Sequence, residues 1–420
     1  MIKNLFALGL KEYNNHKKVV HQTGILFLSQ IFVLLLGIAS KGFQTRGLGP
    51  EDYGLYAFFG TITGFTVLFF RFGLFSSIKV LLANNENKQK ERELFGTGFL
   101  IALVIGLTYT LFIFGISFFI DNLFHVEFGE ILRIVSPLCF ILPLQFLIPS
   151  LAIGSNKIGN SAIYNIVSKL LFVMPLIILY YSTKLTVLII IAMHLCTILI
   201  SFLYVLKRFK PLFSNTKRRI KEIWKKNKEY GLHLYIGQIA DQSTYKLDGL
   251  FISAFVNTTI LGFYSLASVL CSPITIFSKS LSQSLFKKFA NKTCVPKKVF
   301  LYNSIWLLFA FLGLVILGKP LVSLIFGEKF LPLIKYLIPL ALAAFINGTY
   351  QPANMFLGAN GKGKWLRNNS LIMMVVNIIG NATLIPLFGA IGAAWASVIS
   401  MISYALPCFY YYLKSINKSI

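Results

Sequence analysis

The sequence predicts an all-α integral membrane protein of about twelve transmembrane helices, arranged as two six-helix lobes with both termini in the cytoplasm. Three observations predict it. Composition is the first: the chain is 56% hydrophobic and 13% charged, where a soluble domain carries about 25% charged residues. So little polar surface cannot coat a water-soluble globule, and the bilayer must solvate most side chains. The second is the form of the apolar runs. Lipid offers no hydrogen bond to an unpaired backbone group, so spanning elements are helices or a closed barrel. The runs are about 20 residues long without period-two alternation, which selects helices. The third is charge placement. The net charge is +26, and the lysines and arginines fall in short loops between apolar runs. That is a topology signal rather than a nucleic-acid-binding surface, and no nucleic-acid partner is expected.

The elements follow in order. The first 18 residues are basic, with Lys3, Lys11, Lys17 and Lys18. The apolar run after them is full length and lacks a small-residue cleavage site, so it is expected to stay as the first span. Spans are predicted at 19–43, 54–78, 96–120, 131–153, 161–181, 186–206, 233–256, 262–286, 301–326, 335–357, 369–387 and 391–413. The fifth and sixth are separated only by Ser182, Thr183 and Lys184, and the last two meet around Phe388-Gly389-Ala390. Pro137, Pro143 and Pro149 fall in the fourth span, and Pro339 and Pro352 in the tenth. Each removes a backbone hydrogen bond and permits a kink where neighbours satisfy the freed carbonyl.

With the N-terminus in the cytoplasm, the cytoplasmic side holds 29 of the 40 Lys and Arg residues. The outer side holds seven: Lys41, Arg46, Arg133, Lys184, Lys319, Lys329 and Lys335. The remaining four, Arg71, Lys169, Lys246 and Lys279, lie inside spans. The longest hydrophilic stretch, Lys207 to Tyr230, carries ten basic residues and Trp224. It reads as a linker on the anionic cytoplasmic leaflet. The chain thus divides into an N-terminal lobe 1–206, a basic linker 207–232 and a C-terminal lobe 233–420.

The two lobes echo each other. Gln30-Ile31 precedes Gly54-Leu55-Tyr56 by 24 residues, and Gln238-Ile239 precedes Gly262-Phe263-Tyr264 by the same 24. Both pairs are 208 residues apart; at that offset Arg71 matches Lys279. Gly154-Ser155-Asn156 has a counterpart in Gly358-Ala359-Asn360. Six helices bring each lobe back to its starting side, so the repeat is parallel, about an axis along the membrane normal.

A two-lobed bundle of repeats places its ligand between the lobes. A charge at bilayer depth costs about 2.5–3.5 kcal/mol on the insertion scale, so such residues face a cavity or pair with each other. Arg71 and Lys279, at pseudo-symmetric positions, are expected to line one central cavity, with Arg46 and Lys246 adding to it. Such a cavity suits an anionic head group such as a pyrophosphate. The competing reading is that these side chains snorkel to an interface or pair structurally. The seventh span is the most polar, and its Asp241 and Asp248, seven residues apart, share a helix face. A carboxylate poised between desolvation and a nearby cation can bind H⁺ or Na⁺. The alternative is a structural pair with Arg71 or Lys279. His125, His194 and His233 are isolated and read as structural, and the five cysteines have no metal-ligand spacing. No nucleotide loop, paired catalytic carboxylates or Ser/His/Asp arrangement is present. The chain is not expected to be an enzyme or to carry a cofactor; an H⁺ or Na⁺ gradient is the expected driver.

At the end of the first span stands Arg46-Gly47-Leu48-Gly49-Pro50-Glu51-Asp52-Tyr53-Gly54. This resembles the R-x-L-G-P-E-x-[YF]-G signature of the bacterial polysaccharide (O-antigen type) flippase family, and Asp248 followed by Leu261-Gly262-Phe263-Tyr264 is similar to its C-terminal pattern. The resemblance extends over the chain in length and span count. It implies a MATE-like fold of the multidrug/oligosaccharidyl-lipid/polysaccharide superfamily, with a V-shaped cavity between the lobes. It further implies ion-coupled transfer of an undecaprenyl-pyrophosphate-linked oligosaccharide from the cytoplasmic to the periplasmic leaflet of the inner membrane. A polysaccharide polymerase and a chain-length regulator are the protein partners it suggests. Arg71 stands where many relatives carry an acidic or neutral residue, so its role rests on the charge and repeat argument. The rival readings are a cation-coupled drug or metabolite antiporter, whose cavity would be acidic, and a non-transporting component of a polysaccharide assembly complex. A polymerase would show a long outer loop, which this chain lacks.

Overall fold

Helices form where the apolar runs fall. The computed structural model describes residues 2–182, 184–286, 289 and 292–417, with side chains except at 2–31, 158, 233, 241, 244, 245 and 417. Thr183 and the side chains of His233 and Asp241 therefore lie outside the described residues. Among the described residues, nine helices are long and apolar enough to cross a membrane, and one bent pair brings the number to ten. Large apolar side chains face outward along them, for example Leu111 (71% exposed), Ile316 (72%) and Leu324 (73%). Such a surface associates in water; here it is the face presented to lipid. The chain is a multi-pass membrane protein.

Helix α1 (Ile2–Phe69) contains the first predicted span and the larger part of the second. They are divided at Gly49, where φ is 78° and ψ is 176°, and Pro50 opens the second arm. Glycine takes that φ without a Cβ penalty, and proline lacks an N–H that a helix start does not need. The second arm is shorter than predicted. It ends at Phe69, Phe72 and Gly73 take positive φ (48° and 73°), and α2 (Leu74–Ala83) leaves at 64°. Arg71, expected inside the second span, therefore sits in a break between helices.

Helix α3 (Lys88–Ile116) is the third span, capped by the Asn87 side chain. The short helices α4 (Ile120–Phe124) and α5 (Gly129–Val135) follow. The fourth predicted span is interrupted. After α5 come a 3-10 turn at Ser136–Phe140, α6 (Ile141–Leu144) and α7 (Leu147–Gly154). Its three prolines cannot donate to the preceding turn, which is why the segment tightens and restarts. Helices α8 (Ile158–Ser182) and α9 (Val187–Phe209) complete the N-terminal lobe. Beyond the linker helix α10 (Thr216–Lys226) and a π turn at Asn227–Gly231 lies α11 (Leu232–Phe255). Its interior carries Asp241, Lys246 and Asp248, and it is not among the apolar nine. The rest comprises α12 (Thr258–Ser284), α13 (Lys297–Phe326), a 3-10 turn at Glu328–Leu333, α14 (Ile334–Ala359), α15 (Gly363–Phe388) and α16 (Ala390–Asn417).

The lobes meet at both ends of the bundle. At the end bearing the α1 kink, Gly54 crosses the start of α12. A Cβ at Gly54 would lie 2.5 Å from the Thr258 carbonyl oxygen, and one at Gly262 would lie 3.1 Å from Gly54 Cα. The matched glycines of the repeat thus touch. Beside them Arg46 Nη2 donates to the Leu324 carbonyl at 2.6 Å, and the rings of Tyr53 and Phe263 both meet Phe330 edge-on. At the opposite end α2 rests on the π turn. Asn227 Nδ2 donates to the Phe72 carbonyl (3.0 Å), Ser77 Oγ to Asn227 Oδ1 (3.0 Å) and Tyr235 Oη to the Phe69 carbonyl (2.8 Å). Carbonyls freed by the break are thereby satisfied from the linker and the C-terminal lobe.

The linker is docked rather than loose. Arg219 and Ile223 of α10 are buried. Arg219 Nε reaches Glu93 of α3 at 2.8 Å, its Nη1 reaches Glu222 at 2.7 Å, and Lys90 pairs with Glu222. Lys217, Arg218, Lys221, Trp224 and Lys225 remain exposed on the other face.

Candidate functional site

The interior of the bundle is a tract of adjoining cavities. The largest, about 570 Å³, is lined by Arg71, Gln145, Phe146, His194, Gln242 and Lys246 among others. A second, about 410 Å³, lies between α1 and α12 against Lys41, Lys169, Ser268 and Ser272. A third, about 230 Å³, is lined by Asp248, Ser268, Ser272, Lys279, Asn347 and Ser397. A fourth, about 200 Å³, reaches Lys169 and His194 from within the N-terminal lobe. Lys41 is shared by the first and second, Ser268 and Ser272 by the second and third, and His194 by the first and fourth. The cavities are therefore neighbours that share walls.

The break after α1 positions Arg71. Its guanidinium stacks on the Phe146 ring, 3.4 Å from the centroid, and Nη1 donates to Gln242 Oε1 of α11 at 3.1 Å. Its Nε is buried without a partner among the described residues. Arginine has five donors, so this arrangement leaves hydrogen-bonding capacity toward the cavity. Lys246 comes from α11 and lies against Gly64 of α1, where an added Cβ would approach Nζ to 3.1 Å. Lys279 enters from the far end of α12 and lines the third cavity rather than the one holding Arg71. Arg46 is exposed at the kink end, bonded to the Leu324 carbonyl, and is not among the lining residues of any of these cavities. The helix runs past the predicted end of the first span, which carries Arg46 beyond the cavity and brings Lys41, expected among the outer loop charges, into it.

The ion pairs found among the described residues involve Lys90, Lys157, Arg219 and Lys226. None includes Lys41, Arg71, Lys169 or Lys246.

Asp248 is 5% exposed and meets four neutral donors. Its Oδ1 accepts from Asn377 Nδ2 (3.0 Å) and Asn381 Nδ2 (2.7 Å) of α15. Its Oδ2 accepts from Tyr264 Oη (2.7 Å) and Ser397 Oγ (2.5 Å). The expected alternatives, a pair with Arg71 or with Lys279, are not among its bonds. Asn381 Oδ1 is buried beside it without a partner among the described residues. The group thus combines a carboxylate, an orphan amide oxygen and hydroxyls that can accept as well as donate, which is the chemistry of a proton or hard-cation site. The side chain of Asp241, the other proposed coupling residue, lies outside the described residues. No cluster of three or more His, Cys, Asp or Glu side chains is found among the described residues.

Sequence reasoning assigned none of Lys41, His194, Asn377, Asn381, Ser397 and Tyr264 to a site. One signal was available: Asn377 and Asn381 are amides four residues apart in an apolar run, so they share a helix face.

Comparison with known proteins places this geometry. A family model described as polysaccharide biosynthesis protein matches residues 19–291. No curated protein matches the chain. Among solved structures, the chain is similar to an inward-facing multidrug resistance MATE family transporter of the MOP superfamily, with a TM-score of 0.73 at 15% identity over 92% of this chain and 95% of that one. It is similar to the lipid II flippase MurJ in an inward closed conformation, with a TM-score of 0.70 at 18% identity over 94% and 89%. A MOP superfamily transporter from Pyrococcus furiosus, described as having a binding pocket of reverse polarity, matches with a TM-score of 0.61 at 13% identity over 95% and 94%. At these identities the likeness is one of fold: an all-helical, MATE-like membrane bundle.

Proposed function

Because the chain belongs to the polysaccharide biosynthesis protein family, we propose that it is a flippase. Its cargo in this reading is an undecaprenyl-pyrophosphate-linked oligosaccharide, carried from the cytoplasmic to the periplasmic leaflet of the bacterial inner membrane. One observation carries the proposal: the interior tract is lined by cationic side chains, and Arg71 and Lys246 have no carboxylate partner among the described residues. Cations set among apolar helices without acids are costly alone. An anionic ligand offsets that cost, and charge-assisted hydrogen bonds to phosphate are about twice as strong as neutral ones.

The diphosphate enters at the linker end of the bundle and is held by Arg71 and Lys246, with Lys279 on the path. Arg71 is held flat by Phe146 and Gln242, which leaves its remaining donors aimed at phosphate oxygens. Alternating access then exposes the cargo at the kink end. Asp248 couples H⁺ or Na⁺ to that exchange. It ties α11 to α12, α15 and α16, so its occupancy changes how four helices hold together. A cation-coupled exporter of organic cations is disfavoured by the sign of the tract.

The test is the double variant Arg71→Ala with Lys279→Ala. It is expected to insert at the normal level and to abolish surface polysaccharide in the producing cell. Glycan export at the normal level would remove the diphosphate reading.

A further inference from the structure

Lys41, on the first arm of α1, and Lys169, on α8, face a common cavity, and neither was needed for the diphosphate. Lys41 Nζ lies over the rings of Tyr56 (4.6 Å to the centroid) and Tyr53 (5.2 Å), and donates to Gln44 Oε1 at 3.1 Å. An ammonium has three donors and no acceptor, so two remain. Lys169 Nζ is 5.6 Å from the Phe172 ring centroid and reaches within 3.9 Å of where a Gly37 Cβ would stand. His194 meets the edges of Phe172 and Tyr56 at 5.4 and 6.4 Å and lines the cavities on either side. Cation–π contacts hold the two lysines in place but leave their charge unneutralised. Neither is in an ion pair among the described residues.

The position of this cluster separates it from Arg71. Tyr56 and Phe69 are the near and far parts of the same helical arm, about 20 Å of α-helix at 1.5 Å per residue. A diphosphate is too short to touch Lys41 and Arg71 together. An oligosaccharide attached to it is long enough. His194 and Arg71 line the same cavity, so the path between the two ends is continuous.

We propose that Lys41 and Lys169, with His194 beside them, form a second anion site that receives the carboxylate of an acidic sugar in the glycan while the diphosphate is held at Arg71. The cargo class is thereby narrowed to lipid-diphosphate oligosaccharides that carry a negatively charged sugar. The inference rests on the flippase reading for its cargo, but not for the site, whose geometry is independent of Arg71.

The experiment uses purified full-length protein in phosphatidylethanolamine–phosphatidylglycerol vesicles. Transbilayer movement is followed for two fluorescent polyprenyl-diphosphate oligosaccharides, one bearing a uronic acid and one its carboxyl-reduced counterpart. In Lys41→Met and Lys169→Met the ratio of uronate to reduced-sugar flux is expected to fall about tenfold, the worth of one charge-assisted bond. Lys169→Arg restores the ratio. Added inorganic phosphate leaves the ratio of the native protein unchanged if the site takes the sugar, and lowers it if free anions fill the site, which overturns the proposal. A ratio that stays constant in both Met variants, whether both fluxes fall together or neither falls, also overturns it. Arg71→Gln, read with the reduced-sugar cargo, separates the two claims. Undiminished flux there removes the diphosphate reading, while the Met variants still decide the second site.

Discussion

Asp248 shows how a residue acquires its chemistry from distant parts of the chain. An acid in an apolar run is legible because its insertion cost demands a reason. What surrounds it is not legible. Asn377, Asn381 and Ser397 are more than 120 residues away, and each is unremarkable in its own helix. Only the packing of α11 against α15 and α16 brings them to one carboxylate. In Asp248→Asn the charge is lost and an amide donor faces the Asn377 and Asn381 amides, so proton or cation binding should disappear while the helices still pack. Transport into vesicles is expected to lose its dependence on an imposed H⁺ or Na⁺ gradient. Unchanged gradient dependence would exclude Asp248 as the coupling group. Lys41 is the converse case. It was read as an outer loop charge because the first apolar run stops near it. The helix continues to Gly49, so Lys41 is inside the tract and Arg46, taken as a cavity residue, is at its rim.

Elements break where the backbone can be satisfied from elsewhere. The second predicted span reads as one apolar run, and nothing local in Phe70-Arg71-Phe72-Gly73 demands an interruption before the glycine. Donors from the linker and the C-terminal lobe, Asn227 and Tyr235, make it possible, and these could not be foreseen from the run itself. Gly73 has φ +73°, and an added Cβ would lie 2.4 Å from the Gly231 carbonyl oxygen. Gly73→Ala is therefore expected to destabilise the break by about 1–3 kcal/mol, read as a lower melting temperature in detergent and weaker flux of any cargo held by Arg71. An unshifted melting temperature would mean that α2 moves freely. The linker helix carries a different dependence. Burial alone would raise the Glu222 carboxyl, but hydrogen bonds from Lys90 and Arg219, and their charges, outweigh it and hold it below its ordinary value of 4.5. A depressed carboxyl contributes its stabilisation above the unfolded value and loses it as pH falls through the folded one. Docking of α10 is thus expected to persist at neutral pH and to loosen only below the ordinary carboxylate range. Hydrogen exchange of the α10 amides as a function of pH reads this. Release of α10 nearer pH 7 would assign its docking to other contacts.

At the scale of the whole molecule, the sequence signature and the repeat describe one object. The last glycine of the Arg46–Gly54 motif and its counterpart Gly262 were noticed as matching positions, and in the fold they lie against each other where the lobes close at the kink end. No side chain fits between Gly54 and the Thr258 carbonyl, so the backbones themselves form the seal, with Tyr53, Phe263 and Phe330 packed beside it. For a carrier that opens alternately to each side, this contact must part to release cargo and reform to reset. A β-branched residue at Gly54 should prevent the reforming step without touching the cationic tract. Gly54→Val, in a background lacking the five native cysteines and carrying Ser265→Cys in the cavity wall, is expected to show several-fold faster labelling by a membrane-impermeant maleimide added outside intact cells. Glycan export should fall at the same time, because in the proposed orientation the state open to the cytoplasm is the one that closes here. Folded protein whose Ser265→Cys labels no faster than with Gly54 in place would show that the crossing yields to a side chain, and that the closure at this end lies elsewhere, with the aromatic cluster around Phe330 the next contact to test.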